Sequence, residues 1–409
     1  MPAPITPYRL LAILAAATVS APAVGQTITI TPHVDTRLQL ETLEQDNLPD
    51  SSEALTLRIR SGLTAQRRRW SARIEGQANL ALVDNYADGL NGLSDRPIIP
   101  DPENLAVYQA FVRYQTPTLR ATAGRQEISL DDDRFIGTAP IRQNAQNFDA
   151  LRMQWSGIAK GKVKVDATYA WSFRPFWGRD GFGSRPKVIE GENVFLNVAA
   201  ETAIGTLSGF AYIVDLDNEN AQGFRLSSQT YGVRLTGKQS LVPGLDLAYL
   251  ASFARQSDHG RNTTDYTADF VALEAAALHK GWWLGGGLEM LGADRGAVLG
   301  SFQTPFSSGV KFLGLAGRFL PTPPDGVRDY YAAISYKPGK LGPFESVTFK
   351  AVGHHFTSDR IVRAYGNEVN LLASGKLAGT LVTLRYADYR EQGFSADTRR
   401  VMVQIERAY

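Results

Sequence analysis

The side chains best suited to chemistry crowd into one stretch, from Gly124 to Arg152. Arg125, Arg134, Arg142 and Arg152 supply guanidinium groups, and Asp131, Asp132, Asp133 and Asp149 supply carboxylates among them. A guanidinium offers a planar fork of donors that matches a carboxylate or phosphate edge to edge. The chemistry of such a stretch is recognition of anions. Asp131 to Asp133 either hold those forks in place or bind a hard cation. Catalytic arrangements are missing elsewhere. Ser257, Asp258 and His259 are triad residue types, but neighbours in sequence cannot adopt the geometry of nucleophile, base and orienter. His354 and His355 point to opposite faces of any strand. Gly285 to Gly287 lacks the context of a phosphate loop, and Asn262 to Thr264 is an isolated glycosylation sequon. The chain therefore reads as neither an enzyme nor a cofactor or metal protein.

The elements that carry these residues announce themselves by a period of two. Ile28, Ile30, Val34, Leu38 and Leu40 alternate with Thr29, Thr31, His33, Asp35, Arg37, Gln39 and Glu41. Leu55, Leu57, Ile59 and Leu63 alternate with Thr56, Arg58, Arg60 and Thr64, and Trp70, Ile74, Leu80 and Leu82 with Arg73, Glu75, Gln77 and Asn79. A strand sends successive side chains to opposite faces, so each segment has one apolar and one charged face. The charged face is too costly to bury in an ordinary core. Lipid outside and water inside satisfy both faces.

Eighteen such segments can be marked between residues 27 and 409, the first over 27–44 and the last over 397–409. Their connections alternate. Residues 45–52, 84–103, 129–145, 175–191, 218–227, 293–327 and 358–365 are long or polar. Those around Arg68, Pro117, 157–161, Gly205, Pro243, Gly281, 338–344 and 374–377 are short. This predicts an all-β protein: a closed antiparallel transmembrane β-barrel of about 18 strands, with both termini in the periplasm and long extracellular loops. Arg9, the apolar run Leu10 to Val19 and the small residues Ala21 to Ala23 read as a secretory signal over 1–25, leaving 26–409 as one barrel domain. No apolar run is long enough for a spanning helix. The absence of Cys fits a fold that closes its own sheet, and the net charge of +2 excludes a nucleic-acid partner. The last strand alternates Val401, Val403 and Ile405 with Arg400, Met402 and Gln404 and ends on Tyr409. That resembles the terminal assembly signal of outer-membrane barrels. Trp70, Trp155, Trp171, Trp282, Trp283, Tyr330 and Tyr331 near strand ends suit interfacial girdles.

Three blocks carry a family resemblance. The first is Gly124-Arg125-Gln126, then Asp133-Arg134-Phe135, Gly137, Arg142-Gln143, Gln146 and Phe148-Asp149-Ala150. The second is Phe302, Thr304, Pro305, Lys311, Phe312, Gly314, Phe319, Leu320, Thr322, Pro323, Gly326, Asp329 and Tyr331. The third is His355-Phe356, Tyr365-Gly366, Glu368, Tyr386-Ala387, Tyr389 and Asp397-Thr398. Together they resemble the alginate export family of outer-membrane porins. One run departs: where members often carry His-Lys-Phe-x-Gly-Trp-Ala-Asp, residues 310–317 read Val-Lys-Phe-Leu-Gly-Leu-Ala-Gly. The resemblance implies an eighteen-stranded barrel whose Arg-lined lumen conducts an anionic polysaccharide.

The residues themselves agree on the electrostatics. Arg58, Arg60, Arg73, Arg152, Lys162, Lys164, Arg234, Lys350 and Arg400 fall on the polar parity of their strands. Arg58, Arg60, Arg73, Arg125, Arg134, Arg142, Arg152, Arg234 and Lys350 are the expected pore-lining or solute-contacting residues; Asp131, Asp133 and Asp149 are the expected loop anchors. The competing reading is that inward Arg residues pair across strands with Asp35, Glu41, Glu75, Asp166 and Glu406 and touch no solute. The function expected is an outer-membrane channel for anionic solutes. The alternatives are an uptake porin for small organic anions or oligosaccharides, a lipid-modifying barrel enzyme, for which no Ser or Asp lies near a His on one rim, and a plugged structural barrel. The partners expected are the anionic polysaccharide or small anion, outer-membrane lipid and lipopolysaccharide, and a periplasmic scaffold. Loops 129–145 and 293–327 are the segments expected to fold into the lumen, the latter stiffened by Pro305, Pro321, Pro323 and Pro324.

Overall fold

A computed structural model describes residues 27–217, 223–361 and 363–409. The expected secretory signal lies outside them, as does part of the 218–227 loop. The described chain forms eighteen strands: β1 Thr29–Gln45, β2 Ser52–Arg67, β3 Trp70–Asn85, β4 Asn104–Gln115, β5 Leu119–Gln126, β6 Asn147–Ile158, β7 Val163–Arg174, β8 Ile189–Thr202 and β9 Gly205–Val214, then β10 Ser228–Val242, β11 Leu245–Asp258, β12 Thr267–His279, β13 Trp282–Leu291, β14 Val327–Leu341, β15 Phe344–Thr357, β16 Ala364–Leu377, β17 Thr380–Glu391 and β18 Thr398–Ala408. Each strand pairs antiparallel with its sequence neighbour. β1 pairs with both β2 and β18, so the sheet closes and no edge remains. Closure is what lets a sheet stand in hydrocarbon, where an unpaired backbone amide has no water to turn to.

Parity along each strand is as the alternation predicts. Leu38, Leu57 and Leu80 stand together on the outside in register, and large apolar side chains such as Ile74, Val112, Leu151, Leu273 and Leu284 are exposed there. Every second residue points inward. At one end, here the turn end, strands join through tight hairpins. Lys280-Gly281 and Ala378-Gly379 both hold positive φ at the two central positions, the backbone twist that suits a two-residue hairpin. At the other end, the loop end, all the long connections gather. The link expected over 338–344 is shorter: β14 runs on through Pro338 and Gly339 to Leu341, with bulges against β15 that absorb the residues unable to pair.

The sequence-level picture of a uniformly polar interior holds only in the turn-end half. In the loop-end half, residues 127–146 and 292–326 fold into the bore, and the wall facing them is aromatic. Phe306 packs against Phe148, Phe173 and Phe195 with centroids 5.3, 4.7 and 5.7 Å away. Phe135 meets Phe270 at 5.0 Å, and Phe319 meets Phe356 at 4.4 Å. The two loops also hydrogen-bond to each other: Gly137 N donates to Phe306 O (2.9 Å), Ser308 N to Asp133 O (3.1 Å), and the buried Gln146 amide to Phe306 O (2.8 Å). Inward Phe residues that alternation marks as misplaced are the seat of this inner core.

Replacing Phe306 with Ala should cost the loop core about 3–5 kcal/mol, through lost ring contacts and the cavity left behind. Limited proteolysis between residues 293 and 327 should then accelerate, while the barrel keeps its folded mobility on an unboiled gel. Unchanged proteolysis would contradict this packing.

Candidate functional site: a guanidinium-lined bore and its vestibule

The site begins on the inner face of β1–β6 and β17. Arg37, Arg58, Arg60, Arg73, Arg113, Arg120, Arg152 and Arg385 all fall on the inward parity of these adjoining strands. Across the bore, β12–β16 place Glu274, Glu289, Asp329 and Glu368 on their inward parity. One wall is basic and the facing wall acidic. Two of these carboxylates hold the loops. Glu289 pairs with Arg134 Nε at 2.6 Å, and Glu368 accepts Ala316 N at 2.9 Å. Asp329 holds His354 Nδ1 at 2.9 Å.

Residues 127–146 cross the bore. The Arg37 guanidinium donates to Pro140 O (2.8 Å) and Arg142 O (3.0 Å), Gln143 reaches Thr56 Oγ1 (2.9 Å), and Gln404 reaches Ile141 O (3.2 Å). The buried Asp101 carboxylate, on the 86–103 loop, accepts Gln143 N at 2.7 Å. Burial raises its pKa, and the nearby Arg142 opposes that rise. Ile141 of this crossing and Leu315 of the other inward loop line, with Arg385, Arg400 and Met402, a cleft too narrow for water.

Towards the loop end lies a cavity of about 660 Å³. Its lining includes Arg96, Arg142, Arg185, Arg318 and Arg400 with Phe176 and Trp177, and it contains no Asp or Glu. Among the described residues, no carboxylate comes within 4.0 Å of Arg142, Arg185 or Arg318, nor of Arg113, Arg120 or Arg385 lower in the bore. Arg185 lies over the Trp177 ring, 5.3 Å from its centroid. Burial lowers the Arg318 pKa, so this guanidinium gains from any anion that reaches it.

The residues singled out from sequence fall into three groups. Arg58, Arg60, Arg73, Arg152, Arg234 and Lys350 are on the inward face, but all except Lys350 are paired. Arg58 meets Asp35, Arg73 meets Glu75, Arg152 meets Asp166 (2.6 Å), Arg234 meets Asp132 (2.8 Å), and Arg60 lies 3.9 Å from Glu127 and over the Tyr108 ring. Arg134 is 2 % exposed, sealed between Glu289, Thr304 and Ser307, while Arg142 opens on the cavity. Arg125 lies on the outside of the wall. Its register partner Asp149 alternates with the inward Phe148 and Ala150, so Arg125, Asp149 and Arg174 (2.8 and 3.1 Å) form an outer cluster at the loop end. Asp131 accepts from Asn197 at 2.8 Å, and Asp133 pairs with Lys311 at 3.3 Å. The three aspartates are thus divided among separate partners, and no cluster of ligands able to hold a metal ion occurs among the described residues. The unpaired Arg113, Arg120 and Arg385 were readable from the same alternation. Arg96, Arg185 and Arg318 sit on loops, where residue type was the only signal.

A closed eighteen-stranded barrel with an apolar exterior and loops folded into its bore is the architecture of outer-membrane porins. Solved structures agree. OccK9 (OpdG) of Pseudomonas aeruginosa superposes with a TM-score of 0.71 at 13% identity, covering 93% of this chain and 98% of that one. OccAB3 of Acinetobacter baumannii gives 0.68 at 12%, covering 93% and 99%. The outer membrane protein OpdK of Pseudomonas aeruginosa gives 0.66 at 12%, covering 93% and 98%. The alginate export family model matches residues 35–289, well over half of the chain, and the protein belongs to that family. No curated protein matches it. Family and fold together make it a β-barrel porin of the bacterial outer membrane.

Replacing Arg134 with Ala leaves Glu289 buried without its cation, a loss of about 3–5 kcal/mol. The R134M/E289Q pair, which removes both charges, should recover most of it. Thermal unfolding in detergent micelles checks this; equal loss in the single and double variants would contradict it.

Proposed function

We propose that the protein is a passive channel for anionic solutes, selected by guanidinium groups in the loop-end cavity and along the basic wall. The observation that carries this reading is charge placement: a cavity where Arg142, Arg185 and Arg318 have no carboxylate within 4.0 Å, while Arg96 and Arg400 are paired with Asp50, Asp95 and Glu41, continued by Arg113, Arg120 and Arg385 without carboxylate partners. Low-dielectric walls focus the field of such charges and raise the local concentration of anions. Each guanidinium replaces water around a carboxylate, while Phe176 and Trp177 offer flat faces to the apolar side of a sugar ring. Contacts must stay modest for the solute to leave. The reading involves no covalent step and no cofactor. The asymmetry of tight turns and long loops supports termini in the periplasm and the cavity on the outer side.

The family's name points to an anionic polysaccharide. A second reading, small organic anions or oligosaccharides, is favoured by the crossing loops. A polymer needs these loops displaced from the bore, where Arg37 holds Pro140 O and Arg400 holds Leu315 O, whereas a small anion needs only a gap beside them.

Planar-bilayer recording under a salt gradient tests selectivity. The wild type should give a reversal potential of the sign for anion preference. Arg142→Glu should lower the anion-to-cation permeability ratio several-fold. Oligouronates should block the current more strongly than neutral oligosaccharides of equal length. Cation preference in the wild type, or unchanged selectivity in R142E, would overturn the proposal.

A further inference from the structure

The two inward loops and the barrel wall meet at three arginines. Arg142 comes from residues 127–146, Arg318 from residues 292–326 and Arg400 from β18, and all three line the loop-end cavity. Arg400 donates to Leu315 O at 2.6 Å and lines the narrow cleft together with Leu315 and Ile141, the neighbour of Arg142. Arg318 donates to Thr398 Oγ1 at 3.2 Å, close to Arg400 along β18. The charges of Arg142 and Arg318 both act on Arg400.

These cations are unequally matched. Arg400 has Glu41 at 3.1 Å. Asp101 and Glu368 stand behind the group, occupied by Gln143 N (2.7 Å) and Ala316 N (2.9 Å), and neither lines the cavity. Arg142 is 7 % exposed, and its Nη1 atom has no hydrogen-bond partner among the described residues. The Nε atom of Arg318 is also sealed from solvent and unpartnered. A buried donor without an acceptor has lost its hydration and gained nothing in return. An oxyanion entering from the cavity supplies the missing acceptors, and its oxygen edges match guanidinium forks as a spherical halide does not.

We propose that the base of this cavity binds one tetrahedral oxyanion of the phosphate or sulfate class, which Arg142, Arg318 and Arg400 clasp between them. The bound ion ties both inward loops to each other and to β18, because each element contributes one fork. Without it, three like charges face one another across the junction. The ion binds only while the loops are seated, so its occupancy holds them in the bore. The site shares its cavity with the proposed channel function, but its occupant is a resident ion and not a solute in transit.

Limited proteolysis between residues 293 and 327 tests this, in a non-ionic detergent freed of phosphate and sulfate. Inorganic phosphate at ten times its dissociation constant should slow cleavage about tenfold, and the effect should saturate. Sodium chloride at equal ionic strength should not reproduce it. R142Q and R318Q should each lose most of the protection while keeping folded gel mobility. Should R142Q fail to fold, R318K, which keeps the charge and loses the fork, should still weaken it. Equal protection by chloride, or unchanged protection in the folded variants, would overturn the proposal. So would protection by glucuronate but not by phosphate, which would assign the junction to a passing carboxylate. Anion-selective conductance without phosphate protection would overturn the clasp and leave the channel reading standing; cation preference with the protection intact would overturn only the channel reading and support the clasp.

Discussion

A strand with hydrocarbon on one side and water on the other carries charge freely on only one parity. A Lys or Arg on the lipid face near the midplane costs about 2–4 kcal/mol, and an unpaired backbone amide costs several more. The rest of the structure follows from this pair of costs. The sheet closes on itself through β1 and β18, charged groups of the mid-strand turn inward, and outward charges collect near strand ends, as Arg125–Asp149 and Arg399–Glu44 do. Inside, charge becomes available for function because the wall has no better place for it.

The interior is then divided by a second use of the same inward positions. In the loop-end half, Phe148, Phe173, Phe195, Phe210 and Phe270 form a seat on which two loops pack, as side chains pack in a soluble core. The carboxylates of β13 and β16 fasten those loops through Arg134 and the Ala316 amide. The acidic wall is thus engaged with protein; on the basic wall Arg37 also holds the crossing loop, while Arg113 and Arg120 are left without carboxylate partners. Many wall arginines are paired along the strands, so the number of Arg residues says little about selectivity. The unpaired ones, Arg113, Arg120, Arg142, Arg318 and Arg385, are where the field remains.

The barrel was legible because its signal is redundant. Eighteen alternating segments, each weak, were ordered by alternating short and long connections, and the loops that enter the lumen were marked by their length and proline content. The inner core was not legible, because an inward Phe looks the same in sequence whether it meets a loop or breaks a pattern. Arg125 was misread for a related reason. It stands near the end of a short strand, and only the register with Asp149, fixed by the inward Phe148, shows which way it points. The cavity at the loop end was invisible for a third reason: Arg96, Arg185 and Arg318 come from three loops, and no periodicity links residues brought together by loop closure.

The absence of cysteine makes the wall open to direct measurement. Single cysteines placed at Arg113 and Arg120, and at Val112 and Leu151 as outward controls, can be treated in lipid vesicles with membrane-impermeant thiol reagents of opposite charge. The account predicts reaction at the two inward positions, faster with the anionic reagent, and none at the two outward ones. Equal rates for both reagents at the inward sites, or labelling at Val112 and Leu151, would contradict it.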